Sequence, residues 1–154
     1  MYLVPDLTAG TSYTFKVRAR NEFGFGDFSQ EVLILCAFAP EPPGTVTTAN
    51  SNSDIVISWS EPELNGLLIT EYTILIQKSD YTYTTDLMYC NGALHVIVST
   101  RTCTVPLSSL QVTPYNLVFG DHINVIVVST NEYGSSQYSE VGNGATIWVV
   151  PDAP

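Results

Sequence analysis

One self-match constrains this chain more than any other feature. Leu7, Gly10, Asn21, Glu22, Phe23, Gly24, Phe28 and Ser29 align with Leu117, Gly120, Asn131, Glu132, Tyr133, Gly134, Tyr138 and Ser139 at a single offset (131 − 21 = 110). Just beyond, Ala39-Pro40-Glu41-Pro42-Pro43 is similar to Val150-Pro151-Asp152-Ala153-Pro154. A proline run cannot donate to a strand ladder and stiffens the backbone, so each of these stretches reads as a semi-rigid junction. The 154 residues therefore divide out of phase with their repeat. Residues 1–38 are expected to be the last strands of one module, 39–149 a complete second module, and 150–154 the opening of a third.

Within each period the apolar residues alternate. Tyr13, Phe15, Val17 and Ala19 alternate with Thr14, Lys16, Arg18 and Arg20, which is the pattern of a half-buried strand. Ile55, Ile57 and Trp59 form one face of another strand, and Thr70, Tyr72, Ile74 and Ile76 one face of a third. Ala93–Thr100, with Val96 to Val98 at its centre, and Ile123 to Val128 add β-branched runs bounded by Asn91-Gly92, Pro106, Pro114 and Gly120-Asp121. Nothing has the spacing of a long amphipathic helix. The fold class is all-β, and the expected core comprises Trp59, Tyr72, Ile74, Val125 and Val127 in the complete module, with Tyr13, Phe15 and Val17 in the leading segment.

Charge removes whole classes of partner. Five Lys and Arg against fifteen Asp and Glu give a formal charge of -10, so an electrostatic grip on phosphates is excluded, and with it nucleic acid and anionic membrane surfaces. No stretch approaches the roughly 18 apolar residues needed to cross a bilayer, so no membrane insertion is expected in this segment. The first residues lack the basic start and apolar run of a signal peptide.

Taken in order, these residues resemble a fibronectin type III module, an immunoglobulin-like sandwich of two antiparallel sheets. The resemblance rests on the Pro-rich entry at Pro40 to Pro43, Trp59 followed by Glu61-Pro62, the Asn65-Gly66 turn, Tyr72 on its strand, and Asn131-Glu132-Tyr133-Gly134. Leu7, Gly10-Thr11 and Tyr13 are similar to the family's tyrosine corner. Two departures stand out. Ile123 occupies the corner position of the complete module, so that corner is expected to close without a phenolic hydrogen bond, at a cost of about 1 kcal/mol. The repeat is also long for the family, which implies a hairpin insertion at about 79–106 containing Cys90 and Cys103. Such hairpins are similar to those of long tandem-repeat surface proteins of single-celled eukaryotes.

The three cysteines are too few for a disulfide scaffold. Cys90 and Cys103 bracket a small unit, so a disulfide closing the insertion is expected, the alternative being two reduced, buried thiols; a bridge places the protein in an oxidising compartment. Cys36, after Val32-Leu33-Ile34-Leu35, reads as a buried strand residue or a thiol pairing outside this chain.

Chemistry-bearing constellations are sparse. His95 and His122 have no metal-ligand spacing, and Glu41, Asp54, Glu61, Glu63 and Asp152 read as a solvated acidic surface rather than a calcium loop. No Gly-x-Ser-x-Gly elbow or catalytic cysteine context occurs, so no enzyme, metal or cofactor is expected. Tyr72, Tyr81, Tyr83, Tyr89, Phe119 and Trp148 pack across strands in the plain reading. Tyr81 and Tyr83, alternating with Thr82 and Thr84, are the pair expected at a contact surface. No Asn-x-Ser/Thr acceptor occurs, while abundant Ser and Thr leave O-linked glycans open.

The expected function is structural. Tandem modules act as spacers and assembly contacts of a long extracellular or cell-surface protein or filament, with protein partners such as neighbouring modules or other copies. Apolar strand edges in residues 1–38 need cover, from the same polypeptide or from another copy. Two other functions fit the sequence: a ligand- or carbohydrate-recognition module of a receptor ectodomain, and an intracellular cytoskeletal or ciliary repeat.

Overall fold

A computed structural model describes residues 3–148. The junction expected at 150–154 lies outside the described residues. In the leading segment, β1 (Ser12–Phe15) pairs antiparallel with β4 (Val32–Leu35), and a tight hairpin of β2 (Arg20–Asn21) and β3 (Gly24–Phe25) lies between them.

The complete module is a two-sheet sandwich. β5 (Val46–Ser51), β6 (Asp54–Trp59) and β9 (Thr102–Pro106) form one antiparallel sheet, in the order β5-β6-β9. β7 (Glu71–Gln77), β8 (Tyr83–Thr85) and β10 (Val125–Thr130) form the other, in the order β10-β7-β8. Two short helices, α1 (His95–Thr100) and α2 (Leu107–Leu110), flank β9. Residues 135–147 run beside β10 as an irregular strand, with Ser139 donating to the Val127 carbonyl at 3.0 Å and Gly142 to that of Val125 at 2.8 Å.

Burial follows the sequence alternation because successive strand residues point to opposite faces. Ile55, Ile57 and Trp59 of β6 meet Tyr72, Ile74 and Ile76 of β7 together with Val125 and Val127 of β10, all buried. The Trp59 and Tyr72 rings pack edge to face with centroids 5.1 Å apart. Thr48 is one of the buried polar residues of this interior, and its hydroxyl is fully employed. Its Oγ1 donates to the Ile123 carbonyl at 3.0 Å and accepts from the Ala145 amide at 2.9 Å, tying β5 to the opposite sheet.

Three expectations need correction. Ala93–Thr100 is not a strand, since His95–Thr100 is helical. Ile97 turns inward while Val96 stays 59% exposed, and Arg101, in the left-handed conformation at φ 55°, ends the turn by donating its amide to the Ile97 carbonyl. A short apolar run bounded by turns has no periodicity long enough to separate helix from strand. The segment at about 79–106 is likewise no self-contained hairpin insertion. It supplies β8 to one sheet and β9 to the other, and only the connection between them, 86–101, is additional to the sheets. Finally, Tyr13 and Phe15 are half-buried and Val17 is 72% exposed, because no second sheet packs over β1 among the described residues.

Candidate functional site

The feature that couples the two regions is the joint at Phe38–Glu41. The Asn65-Gly66 turn reaches it from the β6–β7 connection, with both residues at positive φ (52° and 97°) as a tight Asn-Gly turn requires. Phe38 donates its amide to the Asn65 carbonyl at 3.1 Å, and Asn65 Nδ2 donates to the Ala39 carbonyl at 2.9 Å. From the other sheet, buried Asn131 donates Nδ2 to the Phe38 carbonyl at 2.9 Å, and Ser129 donates Oγ to the Glu41 carbonyl at 2.8 Å. Phe38 and Tyr133 close the outside of the joint edge to face, 6.1 Å between centroids. Gly66 permits the close approach of the leading segment: a Cβ there would lie 2.5 Å from the Gly10 amide nitrogen and 2.9 Å from the Cys36 carbonyl.

These contacts fix the linker by its own backbone. Three of its carbonyls and two of its amides are bonded to the complete module, so the proline-rich stretch is docked along its length rather than swinging free. Asn131 and Gly66 were both visible in the sequence, one in the repeat and the other as a turn, yet neither carried a sign that it would grip a linker. The available signal was position: Asn131 opens the turn that repeats at Asn21.

Cys90 and Cys103 form a disulfide with Cα atoms 5.3 Å apart, both buried. Cys103 faces Ile57 in the register of β9 and β6, whereas Cys90 closes the loop after β8. The bridge therefore fastens a loop from one sheet to a strand of the other. Within that loop the 92%-buried Asp86 carboxylate accepts the amides of Met88 at 3.0 Å and Tyr89 at 2.9 Å, leaving Leu87 and Met88 exposed at its tip. Behind it Tyr115 is buried; loss of hydration, with the Asp86 charge beside it, holds its hydroxyl well above the usual tyrosine range. Cys36 is a half-buried free thiol just beyond β4.

Tyr81 and Tyr83 do not form a flat pair on one strand. Asp80 accepts both the amide (3.0 Å) and the hydroxyl (2.6 Å) of Thr82, forcing a turn in which Tyr81 adopts φ 66° and stands 81% exposed. Those same bonds lower the Asp80 carboxyl to about 2. Tyr83 sits in β8 opposite Gln77 and is half-buried. Tyr81 leans over an open cleft of about 240 Å³ lined also by Lys78, Asp121 and His122. Tyr89, Phe119 and Trp148 are exposed in part, at 39%, 70% and 41%. His95 is exposed on α1, and His122 is exposed opposite Thr146.

The internal repeat holds at the level of single hydrogen bonds. Asn21 Oδ1 accepts the Phe23 amide at 2.9 Å, and Asn131 Oδ1 accepts the Tyr133 amide at 2.9 Å. Ser29 Oγ accepts the Val17 amide at 3.0 Å, and Ser139 Oγ accepts that of Val127 at 2.9 Å. At the corner the partners change. Tyr13 Oη accepts the Thr8 amide at 2.9 Å; in the complete module Ile123 has replaced the tyrosine, and Asp121 Oδ2 accepts the equivalent Val118 amide at 2.8 Å. The corner is thus closed by a carboxylate, and the expected loss of its hydrogen bond does not occur.

No family profile matches the chain. It is 35% identical to chicken protein sidekick-1 over 86 residues, covering 51% of this chain and 4% of that protein. It is 36% identical to human fibronectin type-III domain-containing protein 3A over 75 residues, covering 46% of this chain and 6% of that protein. Among solved structures, the rat CD45 extracellular region, domains d3-d4, superimposes with a TM-score of 0.58 at 17% identity, over 95% of this chain and 69% of that one. The chain is a fibronectin type III-like repeat. Titin domains give a TM-score of 0.56 at 22% identity, over 87% of this chain and 40% of that one, a likeness of fold alone. This fibronectin type III-like chain spans only 4–6% of the length of the curated relatives named here.

Proposed function

We propose that the chain is a spacer of a tandem-repeat protein at the cell surface or outside the cell, in which docked linkers hold successive modules at a fixed spacing. The joint carries this reading: side-chain bonds from Asn65, Asn131 and Ser129 seize the carbonyls of Ala39, Phe38 and Glu41, and Gly66 lets the leading segment seat directly on the complete module. Residues 3–38 occupy the repeat positions of 113–148, so we take them as the closing strands of a preceding module, and 39–149 as a whole one. The Cys90–Cys103 bridge supports an oxidising location.

The test is the rigidity of the joint. In nuclear spin relaxation, residues 3–38 and 39–148 of the unaltered chain should report one rotational correlation time. Gly66→Val, whose side chain would be driven into Gly10 and Cys36, should split it into two, and should also lower the melting of the complete module modestly, because valine is strained at the Gly66 φ of 97°. Independent tumbling in the unaltered chain would sink the spacer reading.

Recognition is the second reading, favoured by the exposed Tyr81, Leu87 and Met88. A ligand whose binding is lost in Tyr81→Ala and retained in Tyr83→Ala would support it.

A further inference from the structure

Five cationic side chains serve this acidic chain, and three of them are spent on nearby carboxylates: Lys16 on Glu31 at 3.1 Å, Lys78 on Asp80 at 3.2 Å and Arg101 on Glu61 at 3.7 Å. Arg18 and Arg20 pair with no carboxylate among the described residues. Instead the Arg18 guanidinium lies 3.9 Å from the Phe25 ring centre and 4.9 Å from that of Phe28, and Arg20 lies 5.1 Å from Phe25. Both phenylalanines are more than half exposed, at 56% and 54%, so this cation and aromatic strip faces solvent.

The strip is not a requirement of the fold. At the same repeat positions the complete module has Val128, Thr130, Ser135 and Tyr138, with no cation among them, and it still builds the same turn and the same serine bonds. Stacking leaves the edge of a guanidinium, with its fork of N–H donors, free for a carboxylate while cutting the side-chain entropy lost on binding. The complete module is the matching surface: of the ten carboxylates in residues 39–148, Asp86 is buried and Glu61 and Asp80 hold the two cations, which leaves seven carboxylates with no cation beside them.

We propose that Arg18 and Arg20, laid against Phe25 and Phe28, form a docking strip for the carboxylate-rich complete module of a second copy of this chain. This goes beyond the spacer reading, which concerns contacts along one chain, and it can fail while the joint remains rigid. Within one molecule the strip lies on the leading segment, so binding in trans would give lateral association.

Sedimentation of the full chain at neutral pH tests it. Self-association should appear at about 20 mM NaCl and weaken about tenfold or more at about 500 mM, because exposed charge pairs are screened over a few ångströms there. Arg18→Gln with Arg20→Gln should weaken it by about tenfold at low salt, while Lys78→Gln, a cation of the complete module paired with Asp80, should change it less than about twofold. Competition by poly-glutamate on the unaltered chain provides a second readout if the double variant fails to fold. A chain that is monomeric at low salt, or one whose association ignores both salt and poly-glutamate, would overturn the proposal. So would a chain that binds poly-glutamate yet never binds itself.

Discussion

Residues 3–38 and 113–148 trace the same path with the same turn bonds, yet one is open and the other closed. Val17 and Val127 are the clearest pair: same residue, same repeat position, amide held by the same kind of serine hydroxyl, but 72% exposed in one and fully buried in the other. Local hydrogen bonding thus sets the strand and the turn by itself. Burial is conferred by the β5-β6-β9 sheet, which packs over the second copy of the motif and has no counterpart over the first among the described residues. The two regions separate what the repeat encodes locally from what the sandwich adds.

The largest effect should come from the tie that only the complete module has. Replacing Cys90 and Cys103 together by Ala frees the connection at 86–101, which crosses between the sheets, and should lower stability by about 3 kcal/mol in denaturant unfolding, by loss of the loop constraint. The leading segment should keep its own amide-exchange pattern. An equal loss of protection in residues 3–38 would show that the two regions fold as one unit.

Next is the valine pair. Val127→Ala removes two buried methyl groups and should cost about 2 kcal/mol, whereas Val17→Ala should cost under about 0.5 kcal/mol. Equal costs, measured by the same unfolding experiment, would mean that Val17 is covered in solution. That outcome would locate the missing sheet.

Much of this architecture was legible in the sequence because alternation reports burial directly. Ile55, Ile57, Trp59, Tyr72, Ile74 and Ile76 lie where a period of two places them. The failures have physical reasons. Val96 to Val98 are β-branched and short, so their helix is set by the Arg101 turn and the core position of Ile97, neither of which is a local preference. Asp121 taking over the corner bond from the tyrosine could not be read from composition, because its partner is a single amide three residues back. The Tyr81 and Tyr83 alternation was cut by Asp80, whose side chain bends the backbone between them. The joint was the least visible of all, since its side-chain donors come from the β6–β7 connection and from the end of β10, far apart in sequence.

The corner offers a finer test of equivalence. Tyr13→Phe and Asp121→Ala each strip the acceptor from the amide at the same repeat position, and each should cost about 1 kcal/mol, the worth of an ordinary hydrogen bond. Their reach should differ. Asp121→Ala should lower the melting temperature of the complete module, whereas Tyr13→Phe should speed amide exchange at Thr8 without touching it. A fall of the complete module's melting temperature in Tyr13→Phe would couple the corners through the joint.

The smallest effect is confined to the turn that follows β7, a feature the leading segment lacks. Thr82 donates twice to the Asp80 carboxylate, with Lys78 alongside, so the folded turn binds the charged form preferentially and the carboxyl is held at about 2. A lowered carboxyl contributes its stabilisation above the ordinary value of 3.8 and loses it as pH falls toward about 2. The Thr82 and Tyr81 amide resonances should therefore move in that acid window and settle in one titration step. Asp80→Asn should abolish the step and leave Tyr81 less fixed, because an amide oxygen accepts more weakly than a carboxylate. A step surviving in Asp80→Asn would assign the titration to another acid, and with it the reason Tyr81 stands clear of the strand.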